Sequence, residues 1–271
     1  MEIPKQEHEK MVGLTALFQP SKRIIDVLPE KGVVVITGRP GMGKTTLLIS
    51  ILSESILVEK PCVYYSLAHS DVQIVRRLLT NLTGMSHEYL FNKMLKQDNE
   101  KIPPIIQYLS SRNSIEIDDT LYADIDELLL NIKANCQRTS VKFILIDSLE
   151  SLNFKRHKKY MTHTFEELKN LSETLDVLIV VTLQLPITFT PIDNWKNINI
   201  DEIKECIVWS CNIEQFYIIN RPGYCHNNYL GIYKDTNEGF AELIRISSKS
   251  SVLPLQISVA TSKIEPLSDS I

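Results

Sequence analysis

Short apolar runs rich in valine and isoleucine alternate along the chain with longer stretches in which apolar residues recur every three to four positions. The runs are typical of strands buried on both faces of a parallel sheet, and the longer stretches of helices packed on it. The alternation predicts an α/β domain with a mostly parallel central sheet flanked by helices. The predicted strands are residues 32–37, 61–67, 114–118, 141–147 and 177–183, and the predicted helices are residues 46–52, 72–79, 86–110, 123–134 and 164–174.

The pattern changes in the last quarter of the chain. From about Phe216 to Val259 it consists of β-rich runs, at residues 217–219, 229–233, 241–246 and 255–259. These runs predict an antiparallel extension at the C-terminal end of the sheet. With 271 residues and 44% hydrophobic content, one core accounts for the chain. We divide it into a tail or short linker helix at 1–30, a domain at 31–260, and a tail at 261–271 that we expect to be disordered.

The charge and the cysteine content limit the possible binding partners and cellular compartments of the protein. The formal net charge of −4 argues against a generally basic surface that coats nucleic acid, although it permits a local positive patch. The five cysteines are scattered and form no C-x-x-C pair, which suits a reducing compartment. The N-terminus has no apolar signal sequence, and no apolar run approaches the roughly 20 residues of a membrane helix. These features predict a cytoplasmic protein that does not contact membranes.

One segment matches a phosphate-binding loop at every fixed position of the pattern G-x-x-x-x-G-K-[ST], between a predicted strand and a predicted helix. In such a loop the backbone N–H groups surround the β-phosphate, the lysine reaches the β- and γ-phosphate oxygens, and the hydroxyl ligates Mg²⁺. The sequence therefore predicts binding of a nucleoside triphosphate. The predicted nucleotide-binding residues are Gly38, Arg39, Pro40, Gly41, Met42, Gly43, Lys44, Thr45 and Thr46.

Two later strands end in polar residues. Asp147 ends the run 141–147, where a carboxylate can hold the water shell of Mg²⁺. Buried strands often end in aspartate, but the position downstream of a phosphate loop favours the metal role. Gln184 follows the run 177–183 and is a candidate sensor of the γ-phosphate. The alternative for Gln184 is an ordinary cap at a loop start.

These segments, in this order, resemble the RecA-fold motor domain of DnaB-type replicative helicases. The resemblance runs from about Val12 to Val259 and rests on GRPGMGKTT, on VYYSL followed by QIVRRLL, on FILIDSLESL, on VLIVVTLQL, and on residues 202–205 followed by 218–221. It implies a RecA-like P-loop NTPase fold, the use of ATP and Mg²⁺, movement on single-stranded DNA, a ring that is a hexamer, and other replication proteins as partners. It also assigns the catalytic set Lys44, Thr45, Asp147 and Gln184.

The chain departs from the family pattern at catalytic positions. The family's water-activating glutamate is replaced by Ala68, and Ser148 occupies the position after Asp147 where many other nucleotide hydrolases have glutamate. Lys234 matches the lysine that the family extends to the neighbouring subunit, whereas Thr236 replaces the arginine finger. A general base is worth roughly 10²- to 10⁴-fold in rate and an arginine finger roughly 10³- to 10⁵-fold. We therefore expect ATP binding with slow hydrolysis.

Other residues are candidates to replace the missing groups. Asp71, His69 or Glu150 could orient water, and Arg221 or Arg245 could reach a neighbour's phosphates. The sequence does not choose among them. Three functions stay open: a helicase motor, a catalytically impaired assembly or regulatory protein of the same fold, and a RecA-fold ATPase of the recombinase or clock-protein type, which the late-strand spacing suits less well.

Residues 153–160, here called the basic segment, form the candidate DNA contact. In the resembled family the corresponding loop lines the central channel. Its cations could neutralise phosphates while its aromatic rings stack on bases. The alternative is a solvated charge run at the start of a helix. The predicted DNA-binding residues are Lys155, Arg156, Lys158 and Lys159.

Overall fold

The computed structural model describes residues 23–90, 115–138, 140–152, 158–185, 203, 212–221, 240–246, 251–258 and 263–266. Within these ranges, strands and helices alternate through the first two thirds of the chain, and the remainder is almost entirely β. The strands are β1 (Gly32–Gly38), β2 (Cys62–Ser66), β3 (Ile115–Asp118), β4 (Phe143–Asp147), β5 (Leu178–Gln184), β6 (Gln215–Asn220), β7 (Phe240–Ile246), β8 (Ser251–Ser258) and β9 (Lys263–Pro266).

The helices follow the strands in the predicted alternation. Two short 3₁₀ helices, Ile24–Val27 and Leu149–Ser151, accompany them. In the described part of the chain, no helix combines the length and apolar character needed to cross a membrane. The α-helices are α1 (Lys44–Leu57), α2 (Asp71–Thr83), α3 (Ile125–Arg138) and α4 (Lys158–Leu175).

The nine strands of the described ranges form one sheet, in the order β3-β2-β4-β5-β1-β6-β7-β8-β9. All pairs from β3 to β6 are parallel, and β6 to β9 pair antiparallel. This topology confirms the predicted fold class, including the antiparallel extension. Because β1, β2, β4 and β5 are parallel, their carboxyl ends meet at one edge, where open α/β sheets bind ligands.

Successive residues of the central strands pack on opposite faces of the sheet. Val33 and Val35 of β1 belong to a core that includes residues of α3 and α4. Val34 and Ile36 belong to a second core that includes residues of α1 and α2. A strand covered on both faces can be apolar at every position, which explains the uninterrupted runs in the sequence.

The structure differs from the sequence prediction at the C-terminal end. Residues 263–266, placed in a disordered tail by the sequence, form strand β9. The amide of Ile264 donates to the buried Ser50 hydroxyl of α1 at 2.8 Å, so β9 is bonded to a helix as well as to β8. The predicted strand at 229–233 lies outside the described residues, as does most of the predicted helix at 86–110, of which residues 87–90 are described as helical.

A buried glutamate holds the first 3₁₀ helix against α1. The Glu54 carboxylate of α1 accepts hydrogen bonds from the amides of Ile24 and Ile25, at 3.2 and 2.9 Å. Burial raises the pKa of Glu54 from 4.5 to about 7, although the two amide donors lower it. Residues 24 and 25 therefore pack into the same core as α1, although the sequence placed them outside the domain, in a tail or short linker helix.

Glu54 should make the stability of the domain dependent on pH. The folded chain binds the proton of Glu54 more tightly than the unfolded chain, so this contribution is complete below about pH 4.5 and is lost as the pH rises through about 7. The wild type should lose on the order of 3 kcal/mol of unfolding free energy across that window, relative to Glu54→Gln. Urea denaturation from pH 4.5 to 8 measures the difference.

The exposed Glu166 of α4 provides the control. Glu166→Gln should keep the pH profile of the wild type. Parallel profiles for wild type and Glu54→Gln would contradict the prediction.

Candidate nucleotide-binding site

The predicted phosphate loop, residues 38–45, connects β1 to α1. The helix begins at Lys44, and Gly43 before it has a φ of 99°, a left-handed conformation that glycine adopts without a steric penalty. The first amides of an α-helix have no partner within the helix and carry the positive end of its dipole. The loop therefore presents an anion-binding helix terminus at the carboxyl edge of the sheet.

Gly38 lies where three strands and the loop meet. A Cβ atom at this position would be 2.7 Å from the backbone carbonyl oxygen of Ile219, the next-to-last residue of β6. The Gly38 carbonyl accepts one hydrogen bond from the Leu185 amide, at 3.0 Å, and one from Lys44 Nζ, also at 3.0 Å. Position 38 therefore requires glycine, because any side chain would displace β6 from the start of the loop.

The Lys44 ammonium is buried inside the loop. Its Nζ donates to the carbonyl oxygens of Gly38 and Arg39, at 3.0 and 3.2 Å. Burial lowers the pKa of Lys44, and the charges of Glu150 and Asp147 oppose that shift. The loop, β4 and the 3₁₀ helix after β4 thus place one cation and two carboxylates close together.

Asp147 ends β4 and is almost fully buried, with both carboxylate oxygens bonded. Tyr64 of β2 donates its hydroxyl to Oδ2 at 2.8 Å, and Thr182 of β5 donates its hydroxyl to Oδ1 at 2.7 Å. Burial raises the pKa of Tyr64 well above its usual value, and the Asp147 charge adds to the shift, so the tyrosine remains a donor. The carboxylate of Asp147 is therefore oriented by the two strands on either side of β4, which are β2 and β5.

The residues that would hold Mg²⁺ are Thr45, second residue of α1, and Asp147. Each carboxylate oxygen of Asp147 accepts one hydrogen bond from the protein and keeps a further lone pair for a metal-bound water. Mg²⁺ in nucleotide sites takes few protein oxygens together with waters and phosphates. The donor set, a hydroxyl and an oriented carboxylate, fits that preference.

Gln184 and Glu150 lie next to each other at the same edge. Gln184, the last residue of β5, pairs in register with Gly38, and its side chain is exposed. The Glu150 carboxylate interacts with its own backbone amide, the Lys44 charge, the Ser148 hydroxyl and the backbone amide of Gln184. All of these lower the pKa of Glu150, but burial outweighs them and raises it. Gln184 is thus adjacent to the loop, and its role as a sensor of the γ-phosphate stays a prediction.

The structure also shows two functional candidates that the sequence analysis missed, Tyr64 and Thr182. Thr182 interrupts an otherwise apolar run of β5, whereas Tyr64 is followed in β2 by a second tyrosine and a serine, which are also buried. Only Thr182 gave a local signal, because the contact of both residues with Asp147 depends on the order of the strands. Ala68, in contrast, is exposed just after β2, so the position of the family's glutamate holds a methyl group.

Several predicted residues are not placed by the structure. Lys155, Arg156 and Lys234 lie outside the described residues. Lys158 and Lys159 form the first positions of α4, so the C-terminal part of the basic segment is helical, as in the alternative of a charge run at a helix start, and is not a loop. Their role in binding DNA stays a prediction.

The fold and the loop define an α/β protein of RecA-like fold with a phosphate-binding loop. The family model described as "DnaB-like helicase C terminal domain" matches residues 13–205. The chain therefore belongs to this family, which confirms the resemblance seen in the sequence.

Individual relatives agree with this assignment. The chain is 24% identical to the replicative DNA helicase DnaB of Helicobacter pylori (strain J99) over 182 residues, which are 65% of this chain and 37% of that protein. A probable replicative DNA helicase of Guillardia theta is 25% identical over 193 residues, 68% of this chain and 32% of that protein. The chain thus spans about a third of the length of these curated relatives.

Among solved structures, the ATPase domain of G40P matches with a TM-score of 0.68 and 13% identity, covering 98% of this chain and 100% of that one. A DnaB-like replicative helicase, solved in a study of its interactions with primase, matches with a TM-score of 0.69 and 17% identity, covering 88% of this chain and 58% of that one. At these identities the likeness shows the fold.

Thr182→Val should lower the affinity of the site for Mg²⁺. The substitution keeps the shape of the side chain and removes the hydroxyl that orients Asp147. Loss of a residue that orients a metal ligand typically costs about 10- to 100-fold in metal affinity, so the Mg²⁺ concentration that supports half-maximal ATP binding should rise by roughly that factor. Titration of Mg²⁺ at a fixed concentration of a fluorescent ATP analogue measures it.

Thr164→Val is the matched control, because the Thr164 hydroxyl is buried in α4 and has no hydrogen-bond partner among the described residues. The control should bind Mg²⁺ and ATP as the wild type does. Equal Mg²⁺ midpoints for Thr182→Val and the wild type would contradict the assigned role of Thr182.

Proposed function

We propose that the domain binds ATP with Mg²⁺ and is the motor of a DnaB-like replicative helicase that moves on single-stranded DNA. The observation that carries the proposal is the convergence of the loop, Lys44, Asp147 and Gln184 at one sheet edge. In this proposal Lys44 exchanges its carbonyl partners for β- and γ-phosphate oxygens, while Thr45 and Asp147 hold Mg²⁺. When bound, the metal neutralises charge on the phosphates.

The proposed assembly is a ring of identical subunits, a hexamer by analogy with the family, working with other replication proteins in the cytoplasm. A ring would bring Lys234 of one subunit towards the phosphates bound by the next. Its central channel would receive the basic segment. Membership of the family supports this assembly.

A second function, nucleotide-dependent assembly without efficient hydrolysis, is favoured by one observation. The end of β2, where the family has its glutamate, carries the exposed Ala68. Native mass measurement with and without ATP and single-stranded DNA, combined with phosphate release on the same sample, separates the two functions. A nucleotide-dependent ring with turnover supports the motor, and a ring without turnover supports the assembly role.

Lys44→Met tests nucleotide binding itself. Methionine keeps most of the buried volume of the lysine but donates no hydrogen bond. A charge-assisted hydrogen bond contributes about 1.5 to 3 kcal/mol, so the affinity for ATP·Mg²⁺ should fall about 10- to 100-fold in calorimetric titration.

The control for this variant is Lys133→Met, an exposed lysine of α3, which should bind ATP like the wild type. Thermal melting of both variants checks that they fold. Full ATP affinity in a folded Lys44→Met protein would refute the proposed site.

The DNA contact is tested by replacing the four cations of the basic segment with serine. If they neutralise phosphates, the logarithm of the affinity for single-stranded DNA should depend less steeply on the logarithm of the salt concentration, by about 0.7 for each phosphate that the variant leaves unneutralised. Fluorescence anisotropy with a labelled oligonucleotide over a salt series gives the slope. Replacing the exposed Lys31, Lys60 and Lys133 should leave the slope as it is. An unchanged slope in the first variant would reject this assignment.

A further inference from the structure

The proposed motor lacks a carboxylate where its family has one, but a different carboxylate is present in the same site. Glu150 belongs to the 3₁₀ helix that follows β4, three residues after Asp147. It interacts electrostatically with Lys44, the residue proposed to reach the γ-phosphate. Glu150 therefore lies at the same edge of the sheet as Lys44, after the strand that ends in Asp147.

The Glu150 side chain is held in place yet keeps one oxygen available. The Ser148 hydroxyl and the backbone amides of Gln184 and Glu150 itself donate hydrogen bonds to the carboxylate. Its Oε2 atom is shielded from solvent and has no hydrogen-bond partner among the described residues. A buried carboxylate oxygen without a donor is costly, and a bound water is the simplest group that supplies one.

The other two candidates from the sequence lie in the turn after β2 and at the start of α2. Asp71 is exposed in the first turn of α2, where its carboxylate accepts a hydrogen bond from the adjacent Val72 amide, while Ser70 caps the helix. The backbone carbonyl of His69 accepts a hydrogen bond from the Ser66 hydroxyl, which fixes the turn after β2. The carboxylates whose charges act on Lys44 are instead those of Glu150 and Asp147.

We infer that Glu150 Oε2 orients the water that attacks the γ-phosphate of ATP, in place of the glutamate that is absent at position 68. This inference rests on the proposed function. The water oxygen forms the new bond to the γ-phosphorus, and the bond from that phosphorus to the β,γ-bridging oxygen breaks, leaving its electron pair on ADP. The water proton passes to Oε2 and then to the released phosphate. Lys44 stabilises the charge that develops on the phosphate oxygens.

The test compares Glu150→Gln with the wild type in the whole chain. Because Oε2 has no partner among the described residues, an amide nitrogen in its place breaks no hydrogen bond that the structure shows, and the variant should fold. ATP affinity is measured by calorimetry, and phosphate release at saturating ATP·Mg²⁺ with single-stranded DNA gives the turnover. We expect turnover to fall roughly 10²-fold or more, with ATP affinity within about threefold of the wild type.

Two companion variants define the comparison. Glu166→Gln, on the exposed face of α4, controls for the loss of a carboxylate and should match the wild type. Asp71→Asn tests the competing candidate and should change turnover less than about threefold. A large loss in Asp71→Asn together with a small one in Glu150→Gln would assign the water to Asp71 and overturn the inference.

Three further results would overturn it. One is turnover in Glu150→Gln within about threefold of the wild type. Another is a change in ATP affinity without a change in turnover, since that would make Glu150 only a partner of Lys44. The third is a wild type that binds ATP but releases no phosphate. Failure of the wild type to bind ATP is a separate result, because it refutes the proposed function and the inference with it.

Discussion

The parallel pairing of β1, β2, β4 and β5 is the constraint on which the site depends. Because parallel strands end at the same edge of the sheet, residues that are far apart in the sequence are close together there. The register sets Gly38 beside Gln184, and Ser66 beside Asp147. The carbonyl oxygen of Gly38 accepts a hydrogen bond from the Lys44 ammonium. A shift of one residue in this register would turn Asp147 away from its partners, because alternate residues face opposite sides of the sheet.

Burial of charge in this site is compensated by local hydrogen bonds. An ammonium or carboxylate removed from water without partners costs several kcal/mol. Lys44 finds two carbonyl oxygens within its own loop, and Asp147 finds two hydroxyl groups on neighbouring strands. The Lys44 side chain is already held by these carbonyl groups. Phosphate binding would therefore replace its hydrogen-bond partners without having to order the side chain. Glu150 differs from both, since one of its oxygens has no such compensation among the described residues.

The sequence predicted the parts of the structure that are encoded locally. The apolar runs located β1 to β5, and the loop pattern located the start of α1. The orientation of Asp147 was not predictable, because Tyr64 and Thr182 lie 83 and 35 residues away from it and meet it only through the strand order. Strand β9 was missed for a similar reason, since four residues carry little pattern and their contact with Ser50 spans 214 residues.

The substitution at position 68 illustrates why a motif identifies a fold more securely than a mechanism. A phosphate loop needs a particular backbone path, and Gly38 has no room for a side chain. A water-orienting carboxylate has weaker requirements, because it must only reach one side of the γ-phosphate with an unpaired oxygen. The carboxyl ends of β2, β4 and β5 meet at one edge of the sheet. Glu150 lies in the 3₁₀ helix that follows β4, three residues after Asp147, so an acid is present at this edge of the sheet although position 68 has none.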